Sequence, residues 1–272
     1  MTGEGEKRAM QLEICVDRVE SAEAAERGGA DRIELCGNLV IGGTTPDPEL
    51  FRILRERLRI PIHVMIRPRY GDFCYTEEEF RIMCENIRVF RSLGADGIVC
   101  GALRPDGTLD TERMREMIRL GAGGKITLHR CFDLCRDPFS TLEQAAELGV
   151  DILLTSGQRE RAEDATEMLR ALRERAAGRL LIQAGAGVNA GNIERICGAT
   201  GITAYHMSGK ILRNSPMCYR KEGVSMGIPS IGEYEIPETD ELEVKEARRA
   251  LNRISGAGWS GFCEGRKGWS GL

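Results

Sequence analysis

Eight short apolar runs alternate with amphipathic helical stretches along this chain of 272 residues. When a strand is followed by a helix and then by another strand, the two strands usually lie parallel in one sheet. Eight such units are the number that closes a (β/α)8 TIM barrel. The predicted strands span residues 12–16, 32–36, 60–66, 97–101, 126–132, 151–155, 180–184 and 202–207.

We therefore predict a single TIM-barrel domain over residues 11–254. Residues 1–10 are predicted to be flexible, and residues 255–272 to form a tail that is flexible or contacts a second copy in a dimer. About thirty residues separate the eighth strand from the last predicted helix, 241–254, whereas such connections usually have about 2–6. This long loop is expected to be a lid or a binding element.

A short repeat precedes every second predicted strand. It reads Gly-Ala-Asp or Gly-Val-Asp and ends at Asp31, Asp96 and Asp151, with a looser version ending at Gly201. Its glycine is predicted to end the preceding helix in a left-handed conformation, after which the chain turns into the next strand. The spacing favours one repeated barrel, although the same turn also occurs in open doubly wound sheets, which remain the alternative.

Composition and charge exclude several classes of protein. The formal net charge is only −4 and Lys and Arg are not clustered, so we expect no nucleic-acid partner. Apolar runs fall short of the roughly 18 residues that span a bilayer, and we expect no membrane partner. The chain has ten cysteines without a CxxC pair, and most lie inside predicted elements. Reduced thiols in a cytoplasmic protein are the interpretation that this pattern favours.

The stretch from His63 to Tyr75 starts as a strand and ends as a loop rich in polar side chains. Alternate residues of a strand face the same way, so His63, Met65 and Arg67 share one face. A buried strand that directs an imidazole, a thioether and a guanidinium to one side indicates a function other than packing.

Polar residues also collect at the predicted carboxyl ends of the other strands, where TIM-barrel enzymes place their sites. All three histidines of the chain fall on predicted strands. A single such histidine is more often an ordinary core residue, but together these residues indicate a ligand site. The predicted ligand-binding residues are Asn38, His63, Arg67, Arg69, Arg130, Ser156, Gly185, Gly187, His206 and Ser208.

Two segments suit an anion. Residues 184–189 are rich in glycine and lead into a helix for which Asn189 is the predicted N-cap, and Ser208 begins a Ser-Gly-Lys turn after the eighth strand. Many barrels hold phosphate in these two loops. Glycine also occurs in such loops simply because tight turns require it, and this alternative stays open.

General acid–base chemistry has candidates in this set of residues. His129 held by Asp133 or Glu34 would move a proton near neutral pH. Lysine is absent from the predicted strand ends except for Lys210, which disfavours a Schiff-base aldolase. The chain also lacks the His-x-His pair of a two-metal hydrolase.

Soft metal ligands form a second pattern. Cys15 and Cys36 have similar places on neighbouring predicted strands, Met65 follows on the third, and Met217, Cys218 and Met226 lie in the long loop. Thiolates and thioethers are the ligands that select Cu(I). Cysteine and methionine are also ordinary core residues, and that alternative stays open for each of them.

Several motifs together resemble the CutC family of copper homeostasis proteins. They are the runs 12–17, 28–36, 63–69, 71–75, 154–157 and 224–227, with His129-Arg and Phe132-Asp. The resemblance extends in order over about residues 11–254. It implies a TIM barrel, a cytoplasmic homodimer or higher homo-oligomer, and Cu(I) bound at Cys15 and Cys36.

Two functions therefore remain open. One is a cytosolic Cu(I)-binding protein involved in copper homeostasis. The other is an enzyme acting on a small anionic or sugar-like metabolite, with Glu34, His129 and Asp133 as catalytic residues.

Overall fold

In the computed structural model, which describes residues 10–224, 226 and 232–256, eight parallel strands close into a barrel in sequence order. The strands are β1 Gln11–Val16, β2 Arg32–Leu35, β3 Ile62–Met65, β4 Gly97–Cys100, β5 Lys125–Leu128, β6 Ile152–Thr155, β7 Leu181–Ala184 and β8 Ala204–Met207. Because β8 pairs with β1, the sheet has no edge. The predicted TIM barrel is confirmed, and an open doubly wound sheet is excluded.

Eight helices surround the barrel in the described part of the chain. They are α1 Val19–Gly28, α2 Pro48–Arg57, α3 Glu77–Ser92, α4 Thr111–Leu120, α5 Pro138–Leu148, α6 Thr166–Ala176, α7 Ile193–Thr200 and α8 Glu241–Gly256. Outward-facing strand residues such as Ile14, Leu35 and Val64 are fully buried in the hydrophobic core under these helices. Alternation then directs the residues between them into the barrel.

The repeated turn stabilises the amino end of the barrel. Gly29, Gly94 and Gly149 have φ of 91°, 88° and 85°, the left-handed conformation predicted for them. The aspartate that follows accepts a hydrogen bond from the strand before its own. Asp31 accepts from the Leu12 N–H at 2.6 Å and Asp96 from the Ile62 N–H at 2.8 Å.

Asp151 repeats this contact with the Ile126 N–H at 2.9 Å. The three carboxylates thus accept a backbone N–H near the start of β1, β3 and β5. They come from the loops that lead into β2, β4 and β6, so the repeat is found at every second unit. Because all three contacts lie where strands begin, the repeat serves stability rather than the functional end of the barrel.

Most strand boundaries shift by one or two residues, and two regions differ more from the predictions. The fifth strand ends at Leu128 rather than at residue 132, because the chain enters a 3-10 helix, Arg130–Leu134. The long segment after β8 is not an irregular loop, since it contains an antiparallel hairpin of β9 Lys210–Asn214 and β10 Glu235–Thr239. The Thr239 N–H donates to the Ser21 Oγ at 3.0 Å and fixes the hairpin beside α1.

The predicted flexible ends fall almost entirely outside the described residues. Met10 is described and is buried in the core, although it was predicted to belong to the flexible segment. The last helix continues to Gly256, two residues beyond its predicted end. Among the described residues, no helix is both long and apolar enough to cross a membrane.

Candidate metal centre

The inside of this barrel is polar. Inward-facing residues of alternate strands form layers in a TIM barrel, and bulky branched apolar side chains usually fill them. The strand register here assigns Glu13, His63, Thr127 and Gln183 to one layer, and Glu34, Val99, Leu154 and His206 to the next layer toward the carboxyl end. Burying so many polar groups costs stability, which indicates that they serve a function.

A thiol, a carboxylate and an imidazole meet near the carboxyl end of the barrel. One ligand atom each of Cys15, Glu34 and His206 lie within 4.8 Å of one another, and all three residues are buried. They converge because β8, β1 and β2 are neighbouring strands. Within the part of the chain that the structure describes, no other group of three His, Cys, Asp or Glu side chains meets this criterion.

Glu13 lies beneath this cluster as a buried carboxylate with several partners. The Arg32 Nε donates to its Oε2, the Gln183 Nε2 donates to its Oε1 at 2.9 Å, and the His206 Nδ1 lies 2.8 Å from the same Oε1. Burial alone would raise the pKa of the Glu13 carboxyl. The charges of Arg32 and His206 hold that pKa well below its usual range instead.

His206 lies between two carboxylates, with its Nε2 3.6 Å from the Glu34 Oε2. Burial lowers the pKa of an imidazole, but the charges of Glu34 and Cys15 and the hydrogen bond that His206 donates to Glu13 raise the pKa of His206 well above its usual value. The pKa of the Glu34 carboxyl shifts in the opposite direction to that of Glu13. Burial raises the pKa of its carboxyl, and the neighbouring His206 does not cancel that effect.

The second predicted thiol is joined to the cluster through Glu34. The Cys36 Sγ lies 3.4 Å from the Glu34 Oε2 and donates to it. Cys36 is fully buried, and burial raises the pKa of its thiol well above the usual value. Cys15, Cys36 and Met65 also pack together inside the barrel with Val99. The structure therefore brings Cys15 and Cys36 into one small cluster.

His63 lies deeper in the barrel than the sequence indicated. It is the second residue of β3, and its Nδ1 is 3.9 Å from the Glu13 Oε2. Burial lowers the pKa of His63 to about 4, so the ring is neutral near pH 7. Gly97 provides the space for the ring, because a Cβ at that position would lie 2.6 Å from the His63 Cδ2.

His129 and Asp133 are not brought together as a catalytic pair. The His129 Nδ1 accepts a hydrogen bond from the Cys131 N–H at 3.2 Å, and the ring lies against Phe73 at 4.8 Å between centroids. Burial lowers the pKa of His129 to about 3. Asp133 instead accepts hydrogen bonds from the Thr155 Oγ1 at 2.5 Å and from Ser156.

The arginine at the end of β3 binds backbone carbonyl groups. The Arg67 Nη2 donates to the Gly71 carbonyl at 2.7 Å, and the Nη1 to that of Gly43 at 3.1 Å. Arg69 lies near the surface and forms ion pairs with Asp72 and Glu79. Both arginines therefore stabilise loops at the carboxyl end of the barrel.

The other predicted polar ligand residues also have protein partners. The Asn38 Nδ2 donates to the Thr44 Oγ1 at 2.9 Å within the loop after β2. Arg130 forms an ion pair with Asp133 and donates to the Ser156 Oγ at 3.1 Å. These contacts join the loops after β5 and β6.

Helix α7, which follows the predicted anion-binding segment after β7, has a different N-cap from the one predicted from the sequence. Helix α7 begins after Asn192, not Asn189, and the Asn192 Oδ1 accepts the Asn189 N–H at 2.9 Å. Gly187 has a φ of 71°, and Gly185 leaves room for Leu154. An anion bound by these glycines stays a prediction.

Ser208 lies at the base of the hairpin that follows β8. Its carbonyl accepts a hydrogen bond from the Thr239 Oγ1 at 3.1 Å. Met217 and Cys218 lie farther along the same segment and are exposed, and Met226 is 82% exposed. A contact of Ser208 with an anion stays a prediction.

Three buried residues beside the cluster were not predicted as site residues: Glu13, Arg32 and Gln183. A signal for two of them was present. Glu13 has the same strand parity as Cys15, and Arg32 the same parity as Glu34, so both had to face into a closed barrel. Gln183 lies between apolar neighbours and carries no comparable signal.

These features define a class: TIM-barrel proteins with a buried cluster of thiol, imidazole and carboxylate groups at the carboxyl end of the barrel. More narrowly, the chain belongs to the CutC family, because the sequence model of that family matches residues 10–211. The resemblance noted from the motifs is confirmed.

Similar proteins are found in bacteria and animals. A CutC family protein of Porphyromonas gingivalis is 45% identical over 247 residues, which are 90% of this chain and 100% of the relative. The human copper homeostasis protein cutC homolog is 40% identical, with 92% and 91% covered. The crystal structure of CutC from Streptococcus agalactiae is 32% identical with a TM-score of 0.70, and covers 73% of this chain and 98% of that one.

Proposed function

We propose that this protein binds copper(I) in copper homeostasis and holds the ion with Cys15, Cys36 and His206. The observation that supports this most is that Cys15 and His206 converge with Glu34 within 4.8 Å, while Cys36 packs with Cys15 in the same small cluster. Thiolate sulfur and imidazole nitrogen are ligands that Cu(I) prefers. The human relative bears the name of a copper homeostasis protein.

The chemistry of the donor set fits a soft cation. Both thiols pack with Met65 and Val99, and burial raises the pKa of the Cys36 thiol, so the ion must displace its proton. Glu34 accepts a hydrogen bond from that thiol and has a raised pKa, so it is the nearest group able to take the displaced proton. Cys15 and His206 are each 9% exposed and give the ion its access.

The direct test is Cu(I) affinity, measured anaerobically by competition with a chromophoric chelator. We expect the parent to bind one ion per chain and Cys15→Ser and Cys36→Ser each to weaken binding at least 100-fold. Cys218→Ser is the matched control, because this thiol is exposed and lies in the segment between β9 and β10. A Cys15→Ser/Cys36→Ser variant that binds Cu(I) as tightly as the parent would contradict the proposal.

An enzyme acting on a small anionic metabolite is the second candidate. It is favoured by Glu34, whose buried Oε1 has no hydrogen-bond partner within the described part of the chain and whose pKa is raised, as in a general acid or base. His129 and Asp133 give the enzyme hypothesis less support, because each forms its hydrogen bonds with other residues rather than with the other member of the pair. A Glu34→Gln variant that keeps full turnover of a substrate found by metabolite screening would contradict this role.

We further propose that the protein works in the cytosol as a homo-oligomer. None of the nine described cysteines is in a disulfide, which suits a reducing compartment. Tyr70 and Leu134 are 68% and 62% exposed in loops at the carboxyl end of the barrel, which supports contact with a second copy. Light scattering of the purified protein would test the oligomer, and a monomeric mass would contradict it.

A further inference from the structure

His206 is held on one side and faces the cluster on the other. Its Nδ1 lies 2.8 Å from the Glu13 Oε1, whereas its Nε2 lies 3.6 Å from the Glu34 Oε2. Glu13 and Glu34 occupy successive layers of the barrel. The imidazole therefore extends from a carboxylate beneath it toward the proposed metal ligands above.

Glu13 is itself held in place by two neighbouring side chains. It is 1% exposed, the Arg32 Nε donates to its Oε2, and the Gln183 Nε2 donates to its Oε1 at 2.9 Å. The Arg32 Nη2 donates to the Gln183 Oε1 at 3.1 Å and closes the network. Because both Glu13 oxygens accept these hydrogen bonds, the His206 Nδ1–H is the donor in its contact with Oε1.

We propose that Glu13 is a positioning residue that fixes the His206 ring, keeps its Nδ1 protonated and leaves the Nε2 as the nitrogen that binds the metal ion. This inference rests on the proposed copper(I) site. A carboxylate bound to the second nitrogen of a ligating histidine orients the ring and makes it a stronger ligand, and its loss typically costs about 10–100-fold in metal affinity.

The alternative is that Glu13 serves stability alone. A buried ion pair is weak support for stability, because well-packed apolar side chains of similar volume often replace one without loss. The triple variant Glu13→Leu/Arg32→Met/Gln183→Met removes the network together and leaves no charge unpaired. Glu13→Gln is the conservative variant, since its amide oxygen still accepts the hydrogen bond from the His206 Nδ1–H.

The matched control is Thr127→Val. Thr127 faces the same layer, is fully buried, and its Oγ1 has no hydrogen-bond partner among the described residues. We expect Cu(I) affinity to fall 10–100-fold in the triple variant and to change less than fivefold in Glu13→Gln and Thr127→Val. A folded triple variant that binds within twofold of the parent overturns the positioning role.

A second measurement is made on the parent protein and does not depend on the network variants folding. The chain has only three histidines, so ¹⁵N-labelled imidazole spectra are simple, and His206→Asn identifies the signal of interest. We expect a slowly exchanging Nδ1–H in the metal-free parent, and its retention with Ag(I), an analogue of Cu(I) that air does not oxidise, while the Nε2 signal shifts. A proton on Nε2 with Ag(I) on Nδ1 overturns the inference.

The two proposals fail in different ways. A parent that binds neither Cu(I) nor Ag(I) overturns the copper(I) function and the role of Glu13 with it. A parent whose affinity depends on Cys15 and Cys36, but whose His206 binds through Nδ1 or not at all, overturns only the positioning role.

Discussion

The His206 Nε2 and the Glu34 Oε2 lie 3.6 Å apart inside the barrel, although these residues are far apart along the chain. Closure of the sheet brings them together, because β8 pairs with β1 and β1 pairs with β2. The candidate metal centre thus depends on the whole barrel, whereas other parts of the molecule serve stability and can be tested separately from it.

Replacing Asp96 by alanine should destabilise the barrel from its amino end. Asp96 accepts hydrogen bonds at 2.8 Å from the Ile62 N–H and from the Arg55 Nη1. We expect the free energy of unfolding, measured in urea, to fall by about 1–3 kcal/mol, the usual cost of leaving a backbone donor unpaired. Cu(I) affinity should not change. The exposed Glu160→Ala serves as the control, and an equal effect in both variants would contradict the contact.

Gly97→Ala should displace the His63 ring. A Cβ at residue 97 would lie 2.6 Å from the His63 Cδ2, in a layer with little room to adjust. We expect a loss of about 1–3 kcal/mol in the free energy of unfolding, the usual cost of overpacking. The double variant Gly97→Ala/His63→Ala should lose less than the sum of the single variants. Strict additivity would show that the two residues do not compete for space.

His129 should make stability depend on pH. Burial lowers its pKa to about 3 in the folded protein, against about 6.5 for an unfolded chain. Between these values the unfolded state binds the extra proton, so the contribution of His129 is complete above pH 6.5 and is lost as pH falls. The expected slope is about 1.4 kcal/mol per pH unit below about pH 6.

The comparison with His129→Asn isolates this effect, because the other titrating groups are common to both proteins. Urea unfolding at pH 7.5, 6.0, 5.0 and 4.5 should show the two stability curves converging at low pH. Parallel curves would mean that His129 is charged in the folded protein or is not buried.

Asp133→Ala should cost stability and leave metal binding intact. Its carboxylate accepts hydrogen bonds from Thr155 and Ser156 and forms an ion pair with Arg130 at 2.7 Å. Loss of such a buried network should lower the free energy of unfolding by about 2–4 kcal/mol. Cu(I) titration of the folded variant should match the parent. A large loss of affinity would instead place Asp133 in the site.

The candidate site could be predicted only in part. Cys15, Glu34, Cys36 and His206 were predicted from strand parity and motif, and they do converge. His129 was expected to be held by Asp133 or Glu34, but the 3-10 helix Arg130–Leu134 turns Asp133 toward β6. Such a short helix depends on contacts with neighbouring loops, which the local sequence does not encode.

The sequence by itself determined the barrel, its eight strands and the inward direction of its polar residues, because alternation and helix-ending glycines act over a few residues. Tertiary structure alone decided that Glu13, Arg32 and Gln183 form one network beneath His206. These contacts join β1, β2, β7 and β8, and their existence depends on the register at which the sheet closes. That register results from the packing of all eight strands together, so no single segment specifies it.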